Sequence, residues 1–127
     1  MQHAHNACEY CRLSQAGQEA TFHVDHIISQ SAGGLTVSEN LALACVSCSL
    51  HKSARQTALV PHSNEEVLLF HPRRDVWSEH FRWEGVFPVG LTATGQATIE
   101  VLRMNRPLIL AIRQEEILLG RHPLPRA

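Results

Sequence analysis

An α+β protein with a metal-stapled first half is what this sequence predicts, on three observations. Four cysteines fall in two C-x-x-C pairs, Cys8 with Cys11 and Cys45 with Cys48. Around and between those pairs the residues read strand, loop, strand, helix. Beyond Pro61 they read as short strands with a hairpin, followed by two helices.

Each element has its own local signal. Residues 20–28 alternate and are rich in β-branched types, which predicts a strand with Phe22 and Val24 on one side and His23 and Asp25 on the other. Ser29 to Glu39 reads as a loop, with Gly33-Gly34 supplying turn positions. Leu41-Ala42-Leu43-Ala44 is a short apolar run that predicts a second strand entering Cys45. Val46 to about Gln56 predicts a helix with Cys48 in its first turn. Val67 to Phe70 is a short strand candidate. Trp77, Glu79, Phe81 and Trp83 alternate with polar residues, so a strand is expected there, turning near Glu84-Gly85. Thr92 or Thr94 can cap a helix that runs to about Met104. Pro107 suits the first turn of a last helix, which should stop near Gly120, with Pro123 and Pro125 beyond.

Composition narrows the class. At 127 residues, 44% of them hydrophobic but only 6% aromatic, the chain has enough apolar material for one mostly aliphatic core. Large apolar residues are sparse in the first half, where a metal would do part of a core's work. The formal net charge is −1, and strong sequence-independent affinity for nucleic acid needs several cations to displace counterions. Residues 1–55 carry Arg12, Lys52 and Arg55 against Glu9, Glu19, Asp25 and Glu39. Weak nucleic-acid binding is therefore expected unless arginines gather on one face. No apolar run approaches the roughly 18 residues of a membrane span. The polar start, Met1 to Ala7, lacks the apolar stretch of a secretory signal, so a cytoplasmic location and reduced thiols are the expectation. His3 and His5 read as part of a solvated tail.

The cysteine spacing carries the first chemical inference. Two-residue spacers let each pair chelate one ion, and four thiolates close a tetrahedral zinc site. Such a zinc has no open position, so Cys8, Cys11, Cys45 and Cys48 are expected to hold a structural Zn2+ that does not activate water. The long gap between the pairs must then contain a folded insert.

That insert carries a resemblance. His23-Val24-Asp25-His26, then Gly33-Gly34, then Asn40-Leu41-Ala42-Leu43-Ala44-Cys45, then Cys48-Ser49-Leu50-His51-Lys52 is similar to the HNH endonuclease family, in its subgroup where a four-cysteine zinc site clasps a ββα-metal motif. The similarity covers about residues 6–56. It implies a metal-dependent nuclease that cuts DNA one strand at a time, leaving 5′-phosphate and 3′-hydroxyl ends. It implies His26 as general base, Asp25 and His51 as ligands of a catalytic Mg2+ or Mn2+, and Asn40 as the residue that ties down the loop and orients the base. Many members carry Asn where this chain has His51; both can ligate. The physics agrees with these roles. An imidazole titrates near neutrality and suits proton removal from water, and a carboxylate is a hard oxygen ligand. Neighbours on a strand point to opposite faces, so Asp25 and His26 can serve one site only where the strand ends or bulges. His23, Lys52 and Arg55 are the candidate nucleic-acid contacts.

The expected organisation is a nuclease module at 1–58 and an extension at 59–127, a hairpin and two helices packed on the module. In the extension, Arg73, Arg74, Arg103, Arg106 and Arg113 are candidates for a phosphate-tracking patch, although eight acidic residues share the segment 56–127. The aromatic and basic residues of 77–83 suit an inward-packed amphipathic strand better than base stacking. The competing readings are a non-catalytic zinc-stabilised module that binds nucleic acid and one that binds protein. The residues do not separate DNA from RNA, and they leave a protein partner or a homodimer open.

Overall fold

A knuckle around the first cysteine pair opens the fold. Cys8 N–H donates to Leu13 O (2.9 Å) and Arg12 N–H to Cys8 O (3.0 Å), and Arg12 takes a positive φ of 65° to make the reversal. The computed structural model describes residues 6–123; His3, His5 and Pro125 lie outside them. After the knuckle, β1 (His23–His26) pairs antiparallel with β2 (Leu41–Ala44), Asp25 opposite Ala42 and His26 opposite Leu41. Helix α1 (Val46–Lys52) follows at once, with Cys45 as its N-cap. The connection from β1 to β2 holds two 3-10 turns, Gln30–Ala32 and Ser38–Asn40.

The second half begins with a hairpin of β3 (Thr57–Leu59) and β4 (Glu66–Leu68). A four-residue helix, α2 (Trp77–His80), leads into the hairpin of β5 (Phe81–Glu84) and β6 (Phe87–Gly90), which turns at Gly85 with φ 60°. Helix α3 (Ala93–Leu102) starts at Thr92, whose hydroxyl accepts from Gly95 N (3.0 Å). Helix α4 (Pro107–Leu118) starts on its proline. The α+β class expected from the sequence is the one observed.

Three expectations change. The strand expected over 20–28 is confined to His23–His26: Phe22 N–H is taken by Gln15 Oε1 (2.7 Å), and the chain bends at residues 27 and 28. The helix expected to reach Gln56 stops at Lys52, where Ser53 turns to φ 49°; the residues beyond it enter β3, which the sequence did not announce. The strand expected from Trp77 begins as the helical turn α2. Trp77 and Phe81 are four apart and stack with ring centroids 4.9 Å apart, while Trp77 Nε1 donates to Tyr10 O (2.9 Å). That distant anchor overrides the local alternation.

One core runs through both halves. Cys8, Tyr10, Cys11, Leu13, Phe22, Ile27, Ala42, Ala44, Cys45 and Cys48 bury against Phe70, Phe81, Leu102, Met104 and Ile109. Helix α3 packs on α1 and on the β3–β4 hairpin. Polar ties reinforce the seam. Glu9, inside the knuckle, takes Arg73 in a two-bond ion pair (2.5 and 2.7 Å) and accepts from Leu43 N (2.8 Å). Arg113, 1% exposed, donates to Val86 O (2.9 Å), Met104 O (2.8 Å) and Cys11 O (3.4 Å) with its guanidinium over Trp83. Arg73 and Arg113 are therefore turned inward, and the five-arginine patch considered from the sequence does not form as a set.

Because Arg73 neutralises a nearly buried carboxylate, Arg73→Ala is expected to lower the unfolding free energy by about 3 kcal/mol. Arg82→Ala, which breaks the exposed pair with Glu84, should cost less than about 1 kcal/mol. Urea titration of the zinc-loaded variants measures both.

Candidate active site and metal centre

The four cysteine side chains converge although the pairs are far apart in the chain. Their sulfurs all lie within 4.8 Å of one another, and all four residues are buried. Cys11 Sγ and Cys45 Sγ are 3.8 Å apart. A disulfide would put sulfurs at about 2.0 Å, whereas the edge of a zinc tetrahedron with bonds of about 2.3 Å is about 3.8 Å. Within each pair the second residue's amide points at the first sulfur: Cys11 N–H to Cys8 Sγ (3.5 Å) and Cys48 N–H to Cys45 Sγ (3.4 Å). The cluster thus fits a closed structural zinc site.

Electrostatics supports that reading. Burial pushes the Cys8 thiol well up, and hydrogen bonding with Cys11 does the same to Cys48. The Cys45 thiol, hydrogen-bonded by Cys11 and Cys48, is pushed far down. Four sulfurs in a dry site compete for ionisation unless a dication neutralises them. Arg113 adds a permanent positive charge against the Cys11 carbonyl, which offsets the net charge of about −2 that four thiolates around Zn2+ would leave.

The cage holds the frame of the second site. Cys45 and Cys48 occupy the N-cap and first turn of α1, so the cysteine pair sets where the helix starts. His51 and Lys52 lie in the last turn. His51 Nδ1 sits 2.8 Å from Ser47 O and 3.1 Å from Ser47 Oγ. A carbonyl can only accept, so Nδ1 carries the proton and Nε2 keeps its lone pair, the tautomer a metal ligand needs. Asp25, paired with Ala42, shares that residue's face of the hairpin. Its charge acts on Lys52 and Tyr10, while its carboxylate accepts no hydrogen bond among the described residues. Among the described residues, the Asp25 carboxylate and His51 Nε2 therefore have no hydrogen-bond partner, and both are donor types that divalent cations accept.

His26 is the last residue of β1 and shares the face of Leu41, opposite to that of Asp25. The strand ends here. One ring nitrogen, Nε2, meets Thr36 Oγ1 at 2.9 Å, which fixes the ring; the other has no protein partner among the described residues. Asn40, 8% exposed, closes the loop between them. Its Oδ1 accepts from Ile28 N (2.8 Å), and its Nδ2 donates to Ile28 O and Leu35 O (both 2.9 Å). Asn40 does not touch the His26 ring; it fixes the loop whose Thr36 does. Gly34 permits this closure, since a Cβ there would overlap the Ile28 carbonyl and come within 2.8 Å of Asn40 Nδ2.

The candidate nucleic-acid contacts separate. His23 is exposed, with Nδ1 3.3 Å from Ser49 Oγ on α1. Arg55 is exposed and its guanidinium has no protein partner among the described residues. Lys52 corrects the expectation. It is 4% exposed and its ammonium donates to Ile27 O at 2.7 Å. Burial holds its pKa below the usual lysine range, with Asp25 opposing. Its side chain braces α1 against the end of β1 and does not present a charge to solvent.

The family model described as HNH endonuclease matches residues 8–55, a span that opens on the first zinc ligand. Residues 8–55 are an HNH endonuclease domain. No curated protein and no solved structure gives a significant match to the chain. Among the described residues, the group of three or more metal-capable side chains close enough to share an ion is the four cysteines.

Two positioning residues escaped the sequence reading. Ser47 lies four before His51 on α1, a spacing that could have flagged it. Thr36 gave no signal, because its approach to His26 depends on the loop path.

Zinc assay of purified protein should give one equivalent per chain; Cys48→Ser should lose most of it together with the cooperative thermal transition. Asn40→Ala removes three side-chain hydrogen bonds at a buried position. It should destabilise the HNH domain by about 2–3 kcal/mol in urea titration while zinc stoichiometry is retained.

Proposed function

We propose that the chain is a metal-dependent nicking endonuclease acting on DNA, with His26 as general base and Asp25 and His51 as ligands of one divalent cation. The observation that supports this reading is the proton on His51 Nδ1, directed to Ser47 O, which leaves Nε2 as a free lone pair, together with an Asp25 carboxylate that accepts no hydrogen bond among the described residues. His26 takes the proton of a water whose oxygen attacks phosphorus. The bond from phosphorus to the 3′ oxygen breaks, and that oxygen is protonated from solvent, leaving a 5′-phosphate and a 3′-hydroxyl. A bound Mg2+ or Mn2+ supplies charge neutralisation at the phosphate and at the leaving oxygen. Thr36 keeps the His26 ring in place, and Asn40 with Gly34 keeps Thr36 in place. Arg55 and His23 are exposed and suit phosphate contact.

The inward placement of Lys52, Arg73 and Arg113 favours one competing reading, a zinc-stabilised protein-interaction module, because it removes cations from the surface. That reading predicts no divalent-dependent strand cleavage. The test is conversion of supercoiled plasmid to open circles across Mg2+, Mn2+ and EDTA. Wild type is expected to nick with either cation. His26→Ala should be slower by about 100-fold or more, and Asp25→Ala and His51→Ala should need far more metal. Equal nicking by wild type and His26→Ala overturns the assignment.

A further inference from the structure

We infer that the seam between the HNH domain and the rest of the chain contains a phosphate subsite, completed by Arg74 and His71 from outside the domain; the inference rests on the nuclease reading above. A cavity of about 100 Å³ opens there. Ile27, Ile28, Lys52 and Arg55 form its HNH side, and Phe70, His71, Arg74 and Asp75 line the other. Asp25, His26 and His51 do not line the cavity; their chain neighbours Ile27 and Lys52 do.

The polar groups of this cavity fall into used and unused. Lys52 is committed to Ile27 O. Asp75 accepts from His71 N–H (2.9 Å) and makes no ion pair with Arg74 among the described residues. His71 Nδ1 accepts from the backbone amides of Arg73 (3.2 Å) and Arg74 (3.3 Å). The proton of the neutral ring therefore sits on Nε2, which has no acceptor among the described residues. Burial and the nearby Arg74 charge hold His71 below the usual imidazole range, so it stays neutral near pH 7. Both arginines are exposed, and their guanidiniums are unpaired among the described residues. Two planar forks, one imidazole N–H and a net positive lining match the oxygen-rich face of a phosphodiester. A chain of net charge −1 that turns three of its cations inward has few left for its surface, and two that are unpaired among the described residues line one cavity at this seam. The occupant assigned is a backbone phosphate of the substrate strand.

The subsite predicts a shared contact. Duplex DNA binding is measured as a function of salt in the His26→Ala background, where the probe stays intact. Arg55→Ala, Arg74→Ala and the double variant should each weaken binding about 3- to 10-fold and each reduce the salt slope by about 1. Arg74→Lys should keep the slope, and Arg82→Ala, remote from the cavity, should change neither quantity. Zinc content and melting temperature check that each variant is folded. Unchanged affinity and slope in Arg74→Ala, or a slope reduced by about 2 in the double variant, overturns the shared subsite. Cleavage by wild type in parallel then leaves the nuclease reading standing. Loss of binding in Arg74→Ala by a chain that never nicks DNA would keep the subsite and overturn the nuclease reading.

Discussion

The structure depends on one meeting of four sulfurs. Two come from a knuckle near the start of the chain and two from the first turn of α1, so a single ion would fix the hairpin and helix of the HNH domain relative to each other. Without it, four buried thiols would face one another at distances too long for disulfides and too short for comfortable ionisation. The cage also sets the helical phase of α1. His51 lies three residues after Cys48, so the sulfur ligand determines where the imidazole points.

Around that cage the chain builds a second layer of restraint from polar groups. Lys52 ties the end of α1 to the end of β1. Asn40 closes the loop after β1, Gly34 leaves room for it, and Thr36 meets the His26 ring. Ser47 sets the protonation of His51. Each of these side chains restrains a neighbour: Thr36 the His26 ring, Ser47 the His51 tautomer, Asn40 the loop path.

Legibility from sequence followed the distance between interacting residues. The cysteine pairs, β2, the Pro107 start of α4 and the turn at Gly85 are written in neighbouring residues, and the structure has them where the sequence put them; of the two threonines offered as the cap of α3, it uses Thr92. The inward arginines were not legible. Arg73 finds Glu9 across 64 positions and Arg113 finds Cys11 across 102, so nothing local separates them from solvated ones. Trp77 belongs to the same class, since its anchor on Tyr10 is 67 positions away. Lys52 failed for a subtler reason. Its helical position faces the hairpin, and a long aliphatic stem carried the charge to a carbonyl that sequence spacing could not locate. For the site, residue types and order were legible, whereas tautomer, loop closure and the partners Thr36 and Ser47 required coordinates.

The continuous core has a practical consequence for anyone wishing to shorten the protein. The matched HNH segment ends at residue 55, yet Phe70, Phe81, Leu102, Met104 and Ile109 fill the apolar space against its zinc knuckle. A fragment cut at that boundary would leave Tyr10 and the cysteines facing water and strand Glu9 without its arginine. The HNH segment is thus not a detachable cassette: grafted alone onto another protein, it would need a substitute lid of comparable shape.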